Sequence, residues 1–221
     1  MRRPLRFALA GSALLLGSAF GSADAQPLFG DQVVHMVHGP PLVRSVTVGS
    51  IRIRLEHTTL AQVMGALGPG RVVQTGDAGG SLARLCYESA DASDPAYLVL
   101  ESGEMGGGTY ITGFEMSRGN ALRRDPNLPC AKLRVTANHI VVAPGLELGA
   151  RQRDLLARFG PAQADSAGFL RYAHEHSWKE PAGHDGAANP PMEEWTEMST
   201  LDLEFRADSL VWVSTWKVTS N

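Results

Sequence analysis

His174 and His176 alternate along an extended run and therefore point to one side of it, with His184 following in a polar, Gly-rich segment. Neutral imidazoles gathered in this way are ligands for zinc or copper, the one cofactor the pattern admits. Solvated histidines at the end of a strand are the competing reading. His35 and His38 form a second and looser pair in an irregular N-terminal arm.

Other glycine-rich and polar stretches carry less chemistry. Gly76-Asp77-Ala78-Gly79-Gly80 has alanine where a hydrolytic nucleophile would stand, and Ser81 is displaced from that place. A triad aims a base and oxyanion donors at one oxygen, so a displaced serine cannot inherit the geometry. Residues 103–108 are glycine-dense but lack the Gly-Lys-Ser/Thr ending and following helix of a phosphate loop. A hairpin turn explains them, with Met105 as the apolar tip of any contact made there. Without an elbow or a nucleophile beside a base, an enzyme is not expected.

The segment 177–198 reads as a long insertion holding Trp178 and Trp195. Tryptophan is enriched at binding hot spots, so these two and Met105 form the expected interaction surface; packing back over a sheet is the alternative. Trp212 and Trp216 are an even number apart and share one face of the last strand, whose burial decides between core and docking roles.

The elements that must position these residues occur twice. Thr59 to Leu67 reads as a short helix with Thr59 and Gln62 spaced as a capping box and a stop at Gly68-Pro69. Gly149 to Phe159 reads as its counterpart, stopping at Gly160-Pro161. Each is preceded by one extended stretch, 46–55 or 133–142, and followed by three more. Leu201, Leu203 and Phe205 alternate with acidic residues, the period of a strand with one buried face. The expected fold is therefore α+β: two tandem repeats, each a short helix packed on a small antiparallel meander of three or four strands. Residues 26–45 form an extended arm, 46–128 the first repeat and 129–221 the second.

A short helix entered from Gly or Thr, closed by Gly-Pro and followed by an antiparallel meander, resembles the SmpA/BamE/OmlA family. Two such units in tandem resemble the secreted β-lactamase inhibitor proteins of the same broad architecture. The resemblance implies a protein-binding scaffold with no chemistry of its own. The chain departs from it at Arg151, where the family has Thr or Ser, and lacks a lipid-bearing cysteine near the N-terminus.

Arg2, Arg3 and Arg6, an apolar run from Phe7 to Phe20 and the small residues Ala23-Asp24-Ala25 form a secretory signal with cleavage between Ala25 and Gln26. The expectation is export, to the periplasm or beyond, with no membrane span in the remainder. Loss of 1–25 leaves 17 basic against 22 acidic residues, a net charge of about −5. Phosphate neutralisation needs clustered Lys and Arg, so nucleic acid is not expected as a partner; a protein is. Cys86 and Cys130 are the two cysteines of the chain, and oxidising compartments join such pairs as a disulfide.

Overall fold

The computed structural model describes residues 34–37, 42–77, 80–91, 93–119, 127–143, 146–165, 167–181 and 192–221. The signal segment with Ala25 and Gln26 lies outside them, as do His38, His184 and residues 182–191. Among the described residues no helix is long and apolar enough to cross a membrane.

Among the described residues, twelve strands and two α-helices follow in the order β1 (Val34–Met36), β2 (Ser45–Val48), β3 (Ile51–Arg54), α1 (Leu60–Leu67), β4 (Val72–Thr75), β5 (Leu82–Glu88), β6 (Ala96–Ser102), β7 (Gly113–Arg118), β8 (Cys130–Lys132), β9 (Ile140–Ala143), α2 (Gln152–Phe159), β10 (Phe169–Pro181), β11 (Met192–Arg206) and β12 (Ser209–Ser220). Nine strands form one sheet in the order β1-β10-β11-β12-β7-β6-β5-β4, with β8 beside β5. β1 and β8 pair in parallel and the other neighbours antiparallel. A second sheet of three strands, β3-β2-β9, stands apart from it.

This corrects the expected fold class. The described residues are mostly β, with a large mixed sheet of nine strands and helices of only eight residues, and not helices on separate small meanders. The reason lies at β7 and β12, whose pairing runs from Trp212–Ser117 to Trp216–Gly113. Each would otherwise expose a row of unpaired backbone donors and acceptors at a sheet edge, and zipping them together satisfies both rows. Local periodicity carries no information on which edges meet. An eight-residue helix is about 12 Å long, too short to cover so broad a sheet, and the three-stranded sheet takes up the rest.

Strand alternation divides the large sheet into two faces. Leu85, Leu98, Leu100, Phe114, Leu201 and Leu203 are buried on one of them, in a single cluster with Val46, Ile53 and Ile140 of the small sheet and Leu60, Val63 and Leu155 of the helices. Burying this face removes apolar area from water, the main term holding the layers together. On the other face Cys86, Val99 and Leu128 form a separate buried cluster. Cys86 and Cys130 are joined there by a disulfide across the parallel β5–β8 pair.

The helix ends explain themselves. Thr59 Oγ1 accepts from the Gln62 amide at 3.1 Å while Gln62 Oε1 accepts from the Thr59 amide at 2.9 Å, so the capping box closes. Arg151 enters α2 with no side-chain cap. Gly68 and Gly160 end the helices at φ of 108° and 94°, in a region that favours glycine. Their carbonyls accept from the phenols of Tyr87 and Tyr172 at 2.8 and 3.0 Å, and burial pushes both phenols above their ordinary pKa.

Two extended stretches are more broken than their composition suggests. Residues 46–55 turn at Gly49-Ser50 into the β2–β3 hairpin. Residues 133–142 pass through a 3₁₀ turn, Ala137–His139, whose first amide is held by the Asp91 carboxylate at 2.6 Å. The segment expected as a long loop, 177–198, is instead largely hairpin: β10 and β11 stay in register out to Pro181 and Met192.

Candidate functional site

Along one face of β10, β11 and β12 the side chains change character with distance from the core. On β10 they run from Leu170 and Tyr172 through His174 and His176 to Trp178. On β11 the facing positions are Leu203, Leu201, Ser199, Glu197 and Trp195, so that His174 lies across from Ser199, His176 from Glu197 and Trp178 from Trp195. β12 adds Lys217 beside Ser199 and Thr219 beside Glu197. Period-2 alternation keeps all of them on the face that holds the core further down. The sheet thus offers an apolar floor, a polar belt and an aromatic rim.

The rim is ordered by its own contacts. The His176 ring stacks on Trp178 with centroids 5.6 Å apart and planes 16° from parallel, and Trp178 Nε1 donates to Glu180 Oε1 at 2.8 Å. Trp178 and Trp195 are each half-buried, leaving part of two adjacent indoles in solvent.

The polar belt is built around Lys217, which is buried. Its ammonium pairs with Glu197 Oε2 at 2.8 Å and with Glu56 Oε2, and donates to Thr219 Oγ1 at 3.0 Å. A buried ammonium needs such partners because desolvation alone would disfavour the charge. Glu56 reaches it from the turn between β3 and α1, at a left-handed φ of 62° that non-glycine residues seldom adopt. The Glu56 amide donates to Ile111 O at 2.7 Å, and its carboxylate also accepts from the Thr219 amide.

Beside this network opens a cleft of about 360 Å³ lined by Arg44, Arg52, Arg54, Leu55, His57, Glu197 and Lys217. β3 reads Ile-Arg-Ile-Arg: Ile53 is buried in the core, and Arg52 and Arg54 face solvent. Arg52 Nε donates to the buried Ser45 hydroxyl at 3.1 Å, which fixes one guanidinium over the mouth.

The opposite face separates the last pair of tryptophans. Trp212 is buried, donating from Nε1 to Glu115 Oε1 at 2.7 Å and meeting Phe169 edge-on at 5.3 Å, so it is a core residue. Trp216 is 40% exposed and lies across from Gly113, where a Cβ would come within 2.9 Å of the Thr215 carbonyl. Trp216 and the 60% exposed Met105 line a shallow apolar groove of about 240 Å³.

His174 and His176 do share a face, with ring centroids 6.5 Å apart, but their settings differ: His174 is 3% exposed and His176 is exposed. Among the described residues no group of three or more His, Cys, Asp or Glu side chains converges as a metal site. His35 has a local role, its Nε2 accepting from the Gln163 amide at 2.9 Å. The sequence reading missed the Arg44-Arg52-Arg54 cleft and the Glu56–Lys217 pair. The alternation Ile51-Arg52-Ile53-Arg54 was the available signal for the first; nothing local links positions 161 apart for the second.

Comparison with protein-family models, with curated proteins and with solved structures finds no match to this chain. What the belt and rim supply is charge, hydrogen-bond donors and partly exposed aromatic surface.

Proposed function

We propose that this chain is a non-enzymatic, exported protein-binding module, and that it docks its partner on the belt and rim of the β10–β12 face. The observation that carries the reading is the Trp178–Trp195 pair: two indoles directly across from one another, each partly exposed, on the outer arm of a long hairpin. Large, rigid aromatic side chains with a polar tip supply much of the energy of protein interfaces at small entropic cost. Export rests on the basic, apolar and small-residue order of the first 25 residues together with the Cys86–Cys130 disulfide. The resemblance of the two helix-and-glycine segments to exported binding scaffolds points to the same class.

The test compares the chain lacking residues 1–25 with its Trp178→Ala/Trp195→Ala variant, both immobilised and exposed to envelope extract. One defined protein retained by the first and lost at least tenfold by the second, at unchanged melting temperature, supports the reading. Equal retention by both, or no retained protein at all, rejects it. Trp216→Ala, on the opposite face, serves as the control that leaves retention intact.

A further inference from the structure

We propose that the cleft beside Lys217 is an anion site that takes carboxylate side chains from an acidic segment of the protein partner, an inference that rests on the docking face proposed above. The cations there exceed what the fold consumes. Lys217 is committed to Glu56 and Glu197. Arg44, Arg52 and Arg54 form no ion pair among the described residues, although the chain as a whole has 23 acidic against 20 basic side chains. Three guanidinium groups without acid partners beside one concavity are therefore a local excess of positive charge on an acidic protein.

Geometry favours an oxyanion. A guanidinium offers parallel donors that fit a carboxylate two at a time, and Arg52, held at Nε by Ser45, keeps its terminal nitrogens for such a ligand. A cleft lined mainly by one sign of charge also focuses its field on the approaching group. Glu197 at the back shares the Lys217 ammonium with Glu56, so that trio is left with one negative charge, which the three arginines of the lining outweigh. A volume of about 360 Å³ admits a few side chains and not a folded surface.

Continuity with the rim favours a protein segment over a free anion. Glu197 lies across from His176, and Trp195 is two positions further on the same face, so cleft and indoles adjoin along β11. A peptide placing acidic residues over Arg52 and Arg54 would lay its next apolar residues against Trp195 and Trp178.

The probe is a short synthetic peptide of consecutive glutamates flanked by leucines, titrated into the chain lacking residues 1–25 while salt is varied. Binding should weaken with salt, and Arg52→Glu/Arg54→Glu should raise Kd at least tenfold and flatten the salt dependence. Arg52→Gln/Arg54→Gln, which removes charge without reversing it, should give an intermediate loss, and Arg134→Glu, outside the cleft, none. Peptide affinity indifferent to both arginine pairs overturns the site. Displacement of the peptide by an equal concentration of inorganic phosphate overturns its assignment to a protein segment. Because no native partner enters this titration, a failure here while the tryptophan pair still governs capture sinks the anion site alone.

Discussion

Glu56 and Lys217, 161 positions apart, are joined as an ion pair that fastens the last strand to the turn before α1. The same carboxylate accepts from the amide and hydroxyl of Thr219, and Glu56 holds a left-handed backbone to do so. Strained backbone persists where surrounding bonds over-determine it, and here four groups do.

Replacement of Glu56 by Ala should therefore destabilise the protein by about 2 kcal/mol: Lys217 keeps Glu197 as a partner, but the charge-assisted bonds from Lys217 and Thr219 to the Glu56 carboxylate are lost. Glu56→Gly should be milder than Ala by about 1 kcal/mol, because glycine accepts the positive φ that alanine does not. Urea melts of the two variants check the order. Equal midpoints would show that the backbone at this turn relaxes freely.

The Cys86–Cys130 bridge closes a separation of 44 residues. In the chain-entropy account, opening such a loop removes about 4 kcal/mol of stability. Cys86→Ser/Cys130→Ser should unfold at correspondingly lower denaturant, and a reductant should lower the midpoint of the wild type but not of the variant.

Two carboxylates make the fold acid-sensitive. Asp165 is pushed upward by burial, but the amides of Phe169 and Ala167 and the Arg171 guanidinium outweigh this and hold it below the ordinary aspartate range. Asp91 is held low by the Ala137 amide and the Ser89 hydroxyl. For a depressed carboxyl the unfolded chain binds protons first, so the stabilisation is complete above about pH 4 and is lost as pH falls through the lower folded value. Melting temperature should drop steeply below about pH 4, and Asp165→Asn should flatten that acid limb while lowering stability at neutral pH.

The two helix entries differ in their caps, a hydroxyl acceptor at Thr59 and none at Arg151. Thr59→Ala should cost about 1 kcal/mol by opening the capping box, whereas Arg151→Thr, which installs a cap that α2 lacks, should add about 0.5–1 kcal/mol. Thermal melts of the single variants read both changes, and a destabilising Arg151→Thr would mean that the arginine side chain holds α2 by another contact.

Much of the local structure was legible in the sequence because its causes are local. The capping box at Thr59, the glycine stops at Gly68 and Gly160 and the alternation of β11 all depend on neighbours within a few residues. The cysteine pair was readable from parity and compartment. Trp212 and Trp216 were correctly placed on one face, but their opposite burial depends on Phe169 and Glu115 over the first and on Gly113 beside the second.

Side-chain pattern along the chain is enough to place the helix starts and stops and the alternation of strands. The folded chain adds that β7 and β12 pair to make one nine-stranded sheet, that Trp178 faces Trp195, and that Arg52 and Arg54 adjoin Lys217. Strand pairing is made by backbone donors and acceptors that every residue carries, so side-chain pattern does not specify which edges meet. The rim arises from the β10–β11 pairing and the cleft from the small sheet and its following turn lying beside β11 and β12, which is why the site becomes visible only in the folded chain.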